Sequence, residues 1–242
     1  MRGSRFAITA LGLTLLLLGP APARAQSVAS LVTSLPASFA HLFGPTNGLI
    51  VAAGGGASAL VHPQDDDVAR HYLVPSDSTH TFFRAGHVVG DTPAQSGAAL
   101  AVYVVGRLSH QARVSRVGAD LIDAQIVNGV LTTGLKVAVD RTRPNGGHRS
   151  FPSGHTSSTF ATAAVIQRDL GWRAALPVYA LGAYVGTSRV VDRAHFVSDV
   201  IFGTAVGLVS GRAVTVGHGN THATVSAVPL PGGAALTVSM RR

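Results

Sequence analysis

The stretch of sequence that decides the fold runs from residue 136 to residue 155 and reads KVAVDRTRPNGGHRSFPSGH. Before it, apolar residues recur at helical spacing over 119–139. Pro144 disfavours helical conformation at the preceding residue, so this helix is expected to end near Arg143. A second apolar helical run begins near Thr156. The stretch is therefore predicted to be a polar loop that joins two helices.

Helical spacing continues along most of the chain. The other predicted helices cover 27–43, 48–61, 96–108, 156–170, 174–187 and 199–214. Strand-type alternation is hard to find before residue 220, so the predicted class is all-α. The last part, 219–242, partly alternates on either side of a Pro-Gly-Gly turn. Two interpretations stay open for it, a short C-terminal β-hairpin and a loose tail.

Composition indicates one folded domain with an anionic partner. The 242 residues are 46% hydrophobic and only 12% charged, which argues against disorder. The net charge of +8 suits an anionic substrate or a membrane surface. No block of Lys or Arg precedes the two terminal arginines, so nucleic acid is not indicated. The chain has no cysteine and no glutamate, and Lys136 is its only lysine.

The N-terminus has the pattern of an export signal. Arg2 and Arg5 precede an apolar run over 6–19, and Ala23-Arg24-Ala25 has the form of a cleavage site. Because a membrane span needs about 20 apolar residues, this run is short for one. We therefore predict a signal peptide over 1–25 and an exported, periplasmic protein, with an uncleaved anchor as the alternative. Removing three arginines and no acid lowers the net charge from +8 to +5.

Two cations flank the end of the first of these helices. Lys136 and Arg143 are seven residues apart, which is two helical turns, so they lie on one helix face. A helix that ends at Pro144 would direct both into the loop. Taken alone, the pair is explained better by a solvated basic face.

The sequence Pro152-Ser153-Gly154-His155 comes directly before the second helix. A helix N-terminus offers unpaired N–H groups and partial positive charge, which together can bind an anion. Gly154 allows the backbone to approach a phosphate closely, and Ser153 can donate a hydroxyl hydrogen bond. An ordinary helix cap is the alternative for Ser153.

A third segment, from Ser188 to Asp199, supplies a histidine and a carboxylate. His195 and Asp199 are four residues apart, so on a helix the carboxylate can reach the imidazole. Such a pairing fixes the tautomer and frees the other ring nitrogen for attack. Arg189 adds a third cation, and arginine can bind two phosphate oxygens at once.

Together the three segments match the patterns K-x6-R-P, P-S-G-H and S-R-x5-H-x3-D, in that order. Over about 119–214 the chain resembles the type 2 phosphatidic acid phosphatase superfamily, which also includes bacterial acid phosphatases and vanadium haloperoxidases. The resemblance implies an all-α helical bundle of the phosphatidic acid phosphatase and vanadium haloperoxidase type. It implies a helical phosphatase domain over 26–218.

The resemblance also implies a metal-independent, cofactor-free hydrolysis of phosphate monoesters. The histidine at position 195, with Asp199 behind it, would attack phosphorus and become a phosphohistidine. His155 would protonate the leaving oxygen and then activate water. The residues implied to hold the phosphate are Lys136, Arg143, Ser153, Gly154 and Arg189.

The sequence leaves the substrate open beyond its phosphate. Lipid phosphates, isoprenyl diphosphates and small esters all fit. No stretch after the signal has 18 uninterrupted apolar residues, which favours a soluble or peripherally membrane-bound bundle. The competing functions are a vanadate-dependent haloperoxidase and a catalytically silent module that binds phosphate or lipid.

Several polar residues outside the three segments are given structural roles. The histidines His62, His71, His80 and His87 lack the i, i+4 spacing of a helical zinc pair, and no metal site is predicted. We expect Asp65, Asp66 and Asp67 to form a solvated loop. His148 lies near the pocket in sequence, but a loop role is favoured for it.

Overall fold

The computed structural model describes residues 28–72, 77–215, 222–230 and 233–241. Within them, the chain forms a bundle of helices followed by two strands. The helices are α1 (Val28–His41), α2 (Pro45–Val61), the single turn α3 (Asp65–Asp67), α4 (Asp77–Gly90), α5 (Thr92–Leu108), α6 (Ala112–Val139), α7 (Gly154–Leu170), α8 (Trp172–Val191) and α9 (Val197–Thr215). The predicted signal peptide and the predicted domain end at residue 218 lie outside the described residues.

Helix α9 forms the centre of the bundle, because α1, α2, α6, α7 and α8 all pack against it. A buried cluster of small and branched apolar side chains joins α6, α7 and α9, with Val127, Val165 and Val214 among its members. Two of these, Val127 and Val165, have no exposed surface. The core is therefore built from small side chains between closely spaced helices.

Glycine at every fourth position lets α9 lie very close to α7. The residues are Gly203, Gly207 and Gly211. A Cβ at Gly203 would lie 2.7 Å from the carbonyl oxygen of Ser153, and one at Gly211 would lie 2.4 Å from that of Ala161. Only glycine allows backbones to come this near. Since the contacts advance in the same order along both helices, α7 and α9 run parallel.

This packing brings helix ends of opposite polarity to one end of the bundle. The parallel arrangement places the N-termini of α7 and α9 side by side, and the Ser153 N–H donates to the Asp199 carbonyl at 3.0 Å. The C-terminal ends of α6 and α8 reach the same end, carrying Lys136 and Arg189 in their last turns. Cations are favoured at helix C-termini and anions at helix N-termini. The fold therefore creates an anion-attracting end.

The all-α bundle expected from the sequence is confirmed, with two differences in its detail. Helix α4 falls in a stretch where no helix was predicted. The prediction of a solvated loop at Asp65 is wrong, because Asp65 is 2% exposed and lies in the α3 turn, whereas Asp66 and Asp67 are exposed. The reason for the burial is an ion pair with Arg141.

After the bundle, strands β1 (His222–Leu230) and β2 (Gly233–Arg241) pair antiparallel. His222 lies opposite Arg241, and Leu230 lies opposite Gly233. Of the two arrangements expected for this part of the chain, the structure has the hairpin.

Candidate active site

The nucleophile predicted from the sequence, His195, lies just before α9 and is 3% exposed. Its Nδ1 is 3.6 Å from Oδ2 of Asp199, slightly longer than a hydrogen bond, and this orientation leaves Nε2 as the nitrogen available for attack. Burial lowers the pKa of His195, the charges of Lys136 and Arg143 lower it further, and Asp199 acts in the opposite direction. The imidazole is therefore neutral near neutral pH, as a nucleophile must be.

Asp199, in the first turn of α9, accepts hydrogen bonds from three donors. Its Oδ1 accepts a hydrogen bond from Arg141 at 2.8 Å. Its Oδ2 accepts from the Ser150 hydroxyl and, at 2.9 Å, from the Phe196 N–H. Burial alone would raise the pKa of Asp199, but His195, these hydrogen bonds and the Arg141 charge together hold that pKa below its ordinary value. The carboxylate is thus ionised and fixed behind His195.

Arg141 links this carboxylate to a distant part of the chain. Besides Asp199, its guanidinium donates to Oδ2 of Asp65 at 2.9 Å and to the Ser198 hydroxyl at 2.8 Å. Asp65 also accepts from the Ser198 N–H at 3.1 Å. The guanidinium carbon lies 4.0 Å from the centre of the Phe196 ring. A bridge of two buried carboxylates and a part-buried arginine therefore stands behind the predicted nucleophile.

The second histidine has a more open environment. His155, the second residue of α7, has a side chain 21% exposed, and its Nε2 lies 3.7 Å from Oδ1 of Asp91. Its ring stacks on that of His87 with centroids 5.3 Å apart and planes 16° apart. Burial lowers the pKa of His155 to about 4, with Arg189 adding to the effect and Asp91 opposing it. A bound phosphate, being negative, would favour the protonated form that a general acid needs.

Three cations surround the space between the histidines. Lys136 donates to the Arg149 carbonyl at 2.7 Å, and burial and the neighbouring Arg143 lower its pKa to about 8. Arg143 is held by the His148 carbonyl at 2.9 Å. Arg189 is 4% exposed and is hydrogen-bonded to Asp192, and burial lowers its pKa. The positive charge is thus concentrated where the two helix N-termini meet.

Ser153 and Gly154 form the start of α7. Ser153 occupies the N-cap position, but its fully buried hydroxyl lies 2.9 Å from that of Thr156 rather than on the helix backbone. Gly154 lies beside Lys136, since an added Cβ would be 3.7 Å from Lys136 Cε. All eight residues predicted for the site therefore lie at this end of the bundle.

Sequence reasoning missed several residues in and around this set, among them Arg141, Asp65, His87 and Asp91. Arg141 lies inside the first motif, so its position was a usable signal, whereas Asp65 was one of three consecutive aspartates with nothing to distinguish it. His87 and Asp91 lie on or beside α4, and no sequence pattern connects them with the motifs. His148 itself is exposed and contributes its carbonyl to Arg143, which agrees with the loop role expected for it.

Part of this site lies in a segment that is similar to a known protein family. Residues 145–222 match the model of the PAP2 superfamily. A lipid A 1-phosphatase of Porphyromonas gingivalis is 34% identical over 98 residues, which are 39% of this chain and 22% of that protein. The chain therefore covers less than a quarter of that relative.

Two solved structures resemble the fold. LpxE of Aquifex aeolicus has 22% sequence identity and a TM-score of 0.50, covering 61% of this chain and 92% of that one. The transmembrane PAP2-type phosphatidylglycerolphosphate phosphatase of Bacillus subtilis has 18% identity and a TM-score of 0.50, covering 77% and 92%. At these identities the likeness concerns the helical arrangement. The family match over residues 145–222 covers the segments that carry Ser153, His155 and His195.

Proposed function

We propose that the protein is a phosphatase that hydrolyses the phosphate monoester of a lipid through a phosphohistidine intermediate. The observation that carries the proposal is the pairing of two unlike histidines across a cationic space. His195 is buried against an ionised carboxylate, and His155 is partly open to solvent. One environment suits a nucleophile and the other suits a proton donor.

In the first step, Nε2 of His195 attacks phosphorus and the bond from phosphorus to the leaving oxygen breaks. His155 gives its proton to that oxygen, so the alcohol leaves neutral. Arg143, Arg189 and Lys136 offset the charge on the other phosphate oxygens, which is greatest in the transition state. Asp199 stabilises the cationic, phosphorylated His195.

In the second step, water replaces the histidine on phosphorus. His155, now neutral, takes a proton from the water as it attacks. The bond between Nε2 of His195 and phosphorus breaks, inorganic phosphate leaves, and both histidines return to their starting state. The net reaction consumes one ester and one water and gives one alcohol and one phosphate. In this mechanism, the charge stabilisation that a metal supplies in other phosphatases comes from the three cations.

A lipid substrate is supported by the surface of the bundle and by the relatives. Large apolar side chains are exposed along the neighbouring helices α5 and α6 and at the start of α8, and they include Leu100, Val104, Leu108, Ile126, Val130, Trp172 and Leu176. Exposed apolar surface on this scale is typical of membrane or protein contact. According to their names, two of the proteins described above are phosphatases of lipid A and of phosphatidylglycerolphosphate. We therefore propose a membrane-associated enzyme.

Hydropathy alone says little about how the chain meets a membrane. Among the described residues, one helix is long and apolar enough to cross a bilayer, over Val197–Val214, and 61% of that window is buried inside the bundle. A central helix of any compact bundle would have the same character. The proposed association therefore rests on the exposed side chains of α5, α6 and α8.

The test measures phosphate release by the full chain in detergent micelles. One assay uses an aryl phosphate and the other uses phosphatidate, both with EDTA present. We expect release from both, with a higher kcat/KM for phosphatidate, inhibition by orthovanadate, and loss of release in His195→Ala. Acid quench of a reaction with labelled substrate should trap acid-labile phosphate on the protein.

Three results would contradict the proposal in different ways. Activity that survives His195→Ala would exclude the nucleophile. A strict requirement for added magnesium would exclude the metal-independent mechanism. If the protein partitioned into the aqueous phase and left phosphatidate intact, the lipid substrate would be excluded. The proposed phosphatase activity on other esters would still stand.

A further inference from the structure

We propose that His87 is a positioning residue of this active site, which holds Arg189 for the phosphate and supports the ring of His155. The inference rests on the proposed function, because it gives His87 a part in the same reaction. None of the three sequence motifs includes this residue. His87 lies on α4, which is outside the segment that matches the superfamily model.

The contact with Arg189 defines which ring nitrogen of His87 accepts a hydrogen bond. Nη1 of Arg189 lies 2.8 Å from Nδ1 of His87. Because a guanidinium only donates, Nδ1 must be the acceptor, and a neutral His87 then carries its proton on Nε2. The remaining Arg189 anchors are Asp192 at Nη2 and the Ser188 hydroxyl, 3.3 Å from Nε. Each terminal nitrogen of Arg189 keeps one further N–H for a phosphate. Two such N–H groups on one guanidinium can bind two phosphate oxygens at once.

The contact with His155 is of a different kind. The two rings are nearly parallel, with centroids 5.3 Å apart. His155 Nε2 has no hydrogen-bond partner within the described residues, and Asp91 lies 3.7 Å from it. Because no hydrogen bond to Nε2 fixes the His155 ring within the described residues, stacking on His87 is what limits its orientations. A general acid must keep its orientation if it is to meet the leaving oxygen.

Helix α4 is packed so that His87 cannot easily withdraw. Gly86 and Gly90 flank it, and both are buried. A Cβ at Gly86 would lie 2.6 Å from Oγ of Ser188, and one at Gly90 would lie 2.3 Å from Cγ1 of Val185. These close approaches press α4 against α8 beside Arg189. The outer edge of His87 stays exposed to solvent.

Two substitutions separate the two contacts. His87→Phe keeps a flat ring against His155 and removes the acceptor for Arg189. His87→Asn keeps an acceptor near the position of Nδ1 and removes the ring. His80→Phe and His80→Asn are matched controls, because His80 lies two turns earlier on α4 and its ring is 3.7 Å from Asp192. The purified full-length variants are compared in detergent micelles.

The first readout is anion binding, measured as the dissociation constant of orthophosphate by calorimetry and the inhibition constant of orthovanadate. We expect His87→Phe to raise both constants about tenfold, the size expected when a hydrogen bond to a charged group is lost. His87→Asn should stay within about twofold of the native protein, because an acceptor is retained.

The second readout is leaving-group dependence, taken as the ratio of kcat for an aryl phosphate to kcat for an alkyl phosphate. Alkyl alcohols leave poorly without a proton, so this ratio reports the general acid. His87→Asn should raise the ratio about fivefold, whereas His87→Phe should leave it within about twofold, as expected for a displaced but present acid. The His80 variants should resemble the native protein in both readouts.

The outcomes distinguish this inference from the proposed function. The inference is overturned if the two His87 variants change both readouts alike, or if both match the native protein. If the native protein binds orthophosphate but releases none from any ester, the proposed function fails. The orthophosphate constants of the two variants then still decide whether His87 holds Arg189.

Discussion

The two sides of the proposed phosphate site are built in opposite ways. On the nucleophile side, His195 and Asp199 are buried, and the carboxylate is held by Arg141, which is in turn held by Asp65. On the acid side, His155 is part-exposed and rests on a ring stack and a carboxylate 3.7 Å away. In the proposed mechanism, the nucleophile must return to one position in every turnover, whereas the acid must meet alcohols that enter and leave.

The difference indicates where substitutions should act. On the nucleophile side, charge is neutralised inside the protein, so a lost partner leaves a buried charge and affects both folding and chemistry. On the acid side, partners are few and solvent is near, so a lost partner should mainly change the pH dependence and the choice of leaving group. Four substitutions test this contrast, starting with the largest expected effect.

Replacing the nucleophile should have the greatest effect on turnover. We expect His195→Ala to lower kcat on the order of 10⁴-fold or more, because the proposed phosphohistidine intermediate cannot form without this imidazole. Stopped assays with an aryl phosphate measure the loss, and circular dichroism melting checks that the variant is folded. A residual rate above about 1% of the native rate would mean that another group acts as the nucleophile.

Removing the acid should have a smaller effect that depends on the substrate. His155→Ala is expected to lower kcat about 10²–10⁴-fold for an alkyl phosphate, the usual contribution of general acid–base catalysis. For an aryl phosphate the loss should be smaller in the first step, since a phenolate leaves without a proton. Equal losses for both esters would assign the proton transfer to another group.

Breaking the bridge behind the nucleophile should cost stability. Arg141→Leu leaves the carboxylates of Asp65 and Asp199 without their cation, and we expect the free energy of unfolding to fall by about 3–5 kcal/mol. Arg149→Leu is the matched control, because its pair with Asp140 at 3.9 Å is exposed and should contribute about 0–1 kcal/mol. Denaturant titrations of both variants give the comparison. Similar losses of unfolding free energy in the two variants would contradict the contrast between the nucleophile side and the acid side.

The smallest expected effect concerns Asp91. Its charge raises the pKa of His155, so Asp91→Asn should lower that pKa further. A general acid is active while protonated, so the falling limb of kcat/KM with rising pH should move to lower pH. At neutral pH the loss should be about two- to fivefold, as for one part-exposed charge pair. A limb that stays in place, or moves to higher pH, would contradict the role given to Asp91.

The sequence brought together the predicted site residues but not the residues that contact them. The motifs placed Lys136, His155 and His195 at one end of a helical bundle, because helix ends and residue spacing are local properties. The partners are not local. Asp65 is 76 residues from Arg141, and His87 is 102 residues from Arg189, so no spacing rule connects them.

Helix α4 illustrates why the first half of the chain was harder to interpret. Its sequence has polar residues and two glycines within 14 residues, which weakens any helical signal. In the structure those glycines are required, since they allow α4 to lie against Ser188 and Val185. A feature that disfavours a helix locally is thus explained only by its neighbours.

The sequence by itself determined the helical class, and it predicted eight site residues that lie together at one end of the bundle, since periodicity and motif spacing express local geometry. The tertiary structure alone decided that α7 and α9 run parallel, that Arg141 bridges two carboxylates, and that His87 stands between Arg189 and His155. The physical reason is that these contacts depend on how closely helices pack. Helices come this close only where the residues on both facing surfaces are small. The sequence of a single segment does not reveal which other segment it will face.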